Sequence, residues 1–92
     1  MPQIFEIDRY VVFFWSDESK PLEPVHVHIA IKRPSANATK LWITSTGRVL
    51  LCHNHSDIPM RDLRKLIRIV EANSDDIIRQ WSAYFEELRF YC

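Results

Sequence analysis

Ninety-two residues with 47% hydrophobic and 12% aromatic content exclude a disordered chain and allow one small core, so residues 1–92 are expected to form a single domain. Twelve basic residues balance twelve acidic ones, which excludes coating nucleic acid through bulk charge but leaves room for a local basic patch. The N-terminal MPQIFEIDRY has no basic-then-apolar secretory pattern, no apolar run approaches the roughly 20 residues of a membrane helix, and Cys52 and Cys92 lack metal or redox spacing. The expectation is a cytoplasmic, non-membrane protein with free thiols.

The first two elements, QIFEI and YVVFFW, are rich in β-branched and aromatic residues and predict strands. Asp8-Arg9 between them lacks the glycine that a tight primed turn prefers, which allows a slightly longer loop. SDESKPLEP, residues 16–24, is polar with two prolines and predicts a loop, and Pro24 biases Glu23 to an extended backbone. VHVHIAIK predicts the third strand and RPSANAT a turn. KLWIT and RVLLC predict two more strands on either side of Ser-Thr-Gly. Gly47, the only glycine, stands where a turn needs positive φ.

The period then changes. Ser56 or Asp57 can cap a helix, and Pro59 suits its first turn. Leu63, Leu66, Ile67 and Val70 follow the spacing of one helical face. EANSDD interrupts, with Asn73 at the C-terminal end and Ser74 or Asp75 as a new cap. Ile77, Trp81, Tyr84 and Leu88, with Ile78 and Phe85 beside them, form the apolar face of a second helix. Five strands followed by two helices predict an α+β fold: an antiparallel sheet of about five strands with two C-terminal helices packed on one face.

All four histidines occur as His-x-His. Alternate strand residues share a face, so Val25, Val27, Ile29 and Ile31 point into the core while His26 and His28 point the other way. Their Cα atoms stand about 6.6 Å apart. Two such imidazoles can bind an anion, move a proton or converge on a metal, with Glu23, or His53 and His55 from a loop, completing a ligand set. The plainer alternative is a polar, partly exposed strand face, and no metal site is assigned. The contiguous His-Asn-His at 53–55 is read as a polar loop leading into a helix cap. If Leu41 and Ile43 face the helices, Lys40 and Trp42 share the outer face with His26 and His28, as a binding surface would. Trp15, Trp42 and Trp81 are read as core or half-buried. Arg61, Arg64, Lys65 and Arg68 fall on one helical stripe that can meet phosphates or an acidic partner, or serve as a solvated face partly neutralised by Asp75, Asp76, Glu86 and Glu87. There is no Ser-His-Asp arrangement, glycine-rich phosphate loop or paired carboxylate, so catalysis has little support and the question of enzyme activity stays open.

MPQIF, YVVFFW, the acid-Pro-x-His-x-His strand EPVHVHI, TKLWI and IPMRDLRKLIRIVEANSDDIIRQWSAYF together resemble the small bacterial domain-of-unknown-function family numbered 4160. The resemblance covers nearly the whole chain. His-x-His and the closing Trp81, Tyr84 and Phe85 are its most specific parts. The chain departs from the family at the first turn, where Asp-Arg replaces a glycine-containing turn, and in the added LRFYC. The resemblance implies a stand-alone cytosolic bacterial domain with no established activity, from a family whose genes often sit beside one of the family numbered 2442, in an arrangement that looks like a regulatory or toxin–antitoxin pair.

Three readings follow. The first is a protein-interaction component of such a two-gene pair, with a small partner protein from the neighbouring gene and no cofactor. The second is a small endoribonuclease-like toxin, with His26 and His28 as acid and base and Lys40 or the Arg61–Arg68 stripe holding RNA phosphate. The third is a His-x-His metal-binding domain.

Overall fold

The computed structural model describes residues 3–15 and 23–91. Most of the predicted loop 16–24, and Cys92, lie outside the described residues.

Five strands form one antiparallel meander in sequence order: β1 (Gln3–Ile7), β2 (Tyr10–Phe13), β3 (His26–Ile31), β4 (Thr39–Ile43) and β5 (Val49–His53). Two helices follow, α1 (Met60–Ala72) and α2 (Ser74–Phe85). The α+β architecture is the one the patterning predicts.

The turns show where local chemistry differs from expectation. Ile7 pairs directly with Tyr10, so the first turn is a tight two-residue one. Asp8 supplies the left-handed conformation at φ 54° that glycine would otherwise provide. Gly47 has φ +83°, as its turn demands, and a Cβ there would stand 2.8 Å from Ser74 Oγ. Neither Ser56 nor Asp57 caps α1, whose N-cap is Pro59 with no side-chain cap bond. Asn54 organises that entry instead: its Oδ1 accepts from Ile58 N–H at 3.0 Å and its Nδ2 donates to Ile58 O at 3.0 Å. Ser56 Oγ is engaged elsewhere, donating to Asn37 O at 3.0 Å. Asn73 ends α1 and also starts α2, so Ser74 is the first residue of α2 rather than its cap.

Packing follows the two periods. Tyr10, Val12, Val27, Ile29, Leu41 and Ile43 line the inner face of the sheet and are buried against Leu63, Leu66, Val70, Ile77 and Trp81 of the helices. The predicted apolar stripe of α2 ends early. Glu86 adopts a left-handed conformation at φ 61° and closes the helix after Phe85, leaving Leu88 outside it and exposed. Tyr84 is also exposed, and Phe85 packs on Trp81 at 4.5 Å between ring centroids. No helix among the described residues is long and apolar enough to cross a membrane.

Candidate functional site

The outer face of the sheet gathers the residues with chemistry. Register sets the arrangement. β2 against β3 places Phe13 opposite His28. β3 against β4 places His28 opposite Lys40 and His26 opposite Trp42. β4 against β5 places Lys40 opposite His53 and Trp42 opposite Leu50. His28, Lys40 and His53 therefore form one row across three adjacent strands, with about 4.8 Å between strands.

His53 reaches that row because of a register shift. Leu41 pairs with Leu51 and Lys40 with His53, so Cys52 is the extra residue of a β-bulge. Without the bulge Cys52 would oppose Lys40, and His53 would point to the other face. The expected loop position of His53 is thus corrected: it closes β5. His55 stacks on it with ring centroids 3.6 Å apart and planes 14° from parallel. Burial holds the His53 pKa below the ordinary histidine value, and the positive charges of His55, Lys40 and His28 push the same way. Its Nδ1 is buried without a hydrogen-bond partner among the described residues.

Lys40 Nζ bonds Glu23 Oε1 at 2.7 Å and lies 4.3 Å from the centre of the Trp42 ring. Glu23 is the acid of the acid-Pro-x-His-x-His strand, and its carboxylate is paired with Lys40. Among the described residues, no three His, Cys, Asp or Glu side chains are grouped to hold a metal ion.

His26 departs from expectation. It lies on the outer side of β3 by register, yet it is fully buried. Its Nδ1 donates to Pro24 O at 2.9 Å, and its ring meets Trp81 at 5.1 Å and Trp42 at 5.6 Å. The cause is the segment after α2. Val25 N–H donates to Arg89 O at 2.8 Å, and Tyr91 then stacks on Trp42 at 5.1 Å with planes 5° apart. The tail thus passes the start of β3 and reaches the outer face. His28 stays half-buried, beside Phe13 at 5.4 Å and Trp15 at 6.2 Å.

The helical stripe stands apart from this face. Arg61, Arg64, Lys65 and Arg68 are all exposed. Lys65 pairs with Asp8 at 3.0 Å, and the other three have no acidic partner among the described residues. Two of the acids expected to neutralise the stripe pair elsewhere, Asp76 with Arg79 at 2.7 Å and Glu87 with Arg89 at 3.2 Å. Near Lys65, a cavity of about 200 Å³ lies between the β1–β2 turn and α1. There the Tyr10 hydroxyl donates to Asp62 at 2.5 Å, and the Tyr10 pKa is raised, first by burial and then by that bond. Sequence patterning gave no sign of this cavity, nor of Tyr91 on the outer face.

No curated protein and no solved structure matches the chain. A family model described as "Domain of unknown function (DUF4160)" matches residues 10–82, a span that holds β2 through most of α2 and stops before the tail that carries Tyr91. The chain belongs to the DUF4160 family.

Proposed function

We propose that this domain is a protein-interaction component of a two-gene regulatory or toxin–antitoxin-like pair, and that it takes an extended segment of a small partner protein along β5. The observation that carries this is the open edge of the sheet. Among the described residues, β5 pairs only with β4. Ile43 N–H donates to Val25 O on the β3 side, and Val49 N–H points outward to Glu71 Oε2 at 2.9 Å. By alternation the Leu51 amide and carbonyl also point outward. Leu50 is 40% exposed and Leu51 45%, adjacent residues on opposite faces of the same edge. An edge strand whose Val49 amide is taken by Glu71 but whose Leu50 and Leu51 side chains are exposed is still a template for strand addition. Arg61, Arg64 and Arg68 of α1, exposed and without an acidic partner among the described residues, favour a partner carrying acidic residues beside that segment.

The acid–base pair His26 and His28 is not carried further, because the burial of His26 removes it from any reaction on that face. The test is calorimetric titration of the chain with the product of the adjacent gene. Leu51→Pro deletes an outward amide that makes no ladder bond, so the fold survives while strand addition is blocked. Binding at least tenfold weaker in Leu51→Pro and in Leu51→Lys supports the reading. Wild-type affinity in both variants overturns it.

A further inference from the structure

The row on the outer face has a use separate from the β5 edge. Lys40 stands with imidazoles on both sides, His28 from β3 and His53 from β5, and His55 stacked beyond. An anion already sits against it. The Glu23 carboxylate holds Lys40 Nζ at 2.7 Å, where an oxygen of a bound oxyanion would lie. A carboxylate offers two oxygens, whereas a phosphate offers three to be shared among an ammonium and flanking imidazoles. Beside Lys40, one face of Trp42 is covered by Tyr91, stacked at 5.1 Å and itself 61% exposed. One face of the tyrosine ring is taken by Trp42, and the other is open to a flat partner.

We propose that His28, Lys40, His53 and His55 form a nucleotide site, in which Lys40 and the imidazoles take the phosphate and the open face of Tyr91 stacks on the base. Glu23 is the internal competitor of that phosphate. Binding releases Lys40 from Glu23, so the two residues act with opposite sign. The groups facing the phosphate are Glu23 ahead of β3, His28, Lys40, His53 and His55, with His26 buried beneath.

The experiment follows the imidazole ¹H–¹³C resonances of the labelled chain while inorganic phosphate, ribose 5-phosphate, AMP or a single-stranded RNA hexamer is added at one fixed pH. The expected result is movement of the His28, His53 and His55 signals. AMP should bind about tenfold more tightly than ribose 5-phosphate, the scale of one base stacked on an aromatic ring, and Tyr91→Ala should erase that difference. Lys40→Gln should weaken AMP at least tenfold, Glu23→Gln should tighten it several-fold, and Arg79→Gln on α2 should change nothing. A hexamer that binds more tightly than AMP identifies the source as a polynucleotide, and one that binds no better identifies a mononucleotide. Unmoved histidine signals at millimolar AMP, or Glu23→Gln and Lys40→Gln shifting affinity in the same direction, would overturn the site. Leu51→Pro should leave AMP binding intact, which separates this result from the fate of the partner-binding reading.

Discussion

His26→Ala should be far more damaging than His28→Ala, although the two stand on the same side of one strand. The His26 ring is fully buried, donates from Nδ1 to Pro24 O at 2.9 Å, and lies between Trp81 at 5.1 Å and Trp42 at 5.6 Å. Losing the hydrogen bond costs about 1 kcal/mol, and it leaves the Pro24 carbonyl without that donor. Deleting the ring opens a cavity between two indoles, and large-to-small core changes cost about 2–5 kcal/mol. An imidazole is smaller than the aromatic rings at the top of that range, so about 2 kcal/mol is the apt share. The total, about 3 kcal/mol, lowers Tm by about 12–24 °C in a domain of this size. His28 is half-buried, against Phe13 at 5.4 Å and His26 at 4.9 Å between ring centroids, so it gives up less buried surface than His26 and its loss costs about 1 kcal/mol. Urea denaturation followed by tryptophan fluorescence measures both. A loss below about 1 kcal/mol for His26→Ala, or equal losses for the two variants, would refute the reasoning.

Trp81→Ala should cost about 3–5 kcal/mol in the same assay, because the indole is fully buried between Phe14 and Phe85; a loss under about 1 kcal/mol would remove it from the core. Gly47→Ala should destabilise by about 1–3 kcal/mol, since its φ of +83° and the 2.8 Å approach of Ser74 Oγ both oppose a Cβ; a raised Tm would contradict this. The depressed His53 pKa means the unfolded chain takes up a proton before the folded one, so His53 stabilises less as pH falls through about 6.5. Thermal melts of His53→Asn between about pH 7 and 5 should therefore show a flatter decline than wild type, and an identical slope would count against it. Tyr10→Phe removes the hydroxyl that donates to Asp62 at 2.5 Å and should cost about 1 kcal/mol by denaturant melts.

The fold was legible because two periods dominate the chain. Val25, Val27 and Ile29 alternate with residues of the other face, and Leu63, Leu66 and Val70 recur at helical spacing, so each element announces the side it buries. The meander needs nothing more, since short connections join neighbours. Caps and turns were less legible because several side chains can do the same work. Asp8 serves in place of glycine, and Asn54 rather than Ser56 or Asp57 organises the entry to α1. A hydroxyl or carboxylate near a helix start is a candidate for the cap, but the competition is settled by tertiary partners, here Asn37 and Thr39 for Ser56.

The site was half legible for the same kind of reason. Strand alternation placed His26 and His28 on the outer face and paired them with Trp42 and Lys40, as the register has them. Alternation says which side a residue faces and nothing about what covers that side. The cover comes from residues after α2, where a left-handed Glu86 turns the chain so that Arg89 meets Val25 and Tyr91 meets Trp42. No periodic signal marks such a tail, because it is neither strand nor helix. His53 escaped for a more local cause. A single bulged residue, Cys52, flips the parity of β5 and turns an apparent loop histidine into the neighbour of Lys40. The bulging of that residue therefore decides whether the two His-x-His pairs are separate features or one surface. Deleting Cys52 places His53 directly after Leu51 and so opposite Lys40 in a plain ladder, which keeps it in the row, and the lowered His53 pKa should persist in a histidine NMR titration. A His53 pKa that returned to the ordinary histidine value on that deletion would show that something other than the place opposite Lys40 holds it down.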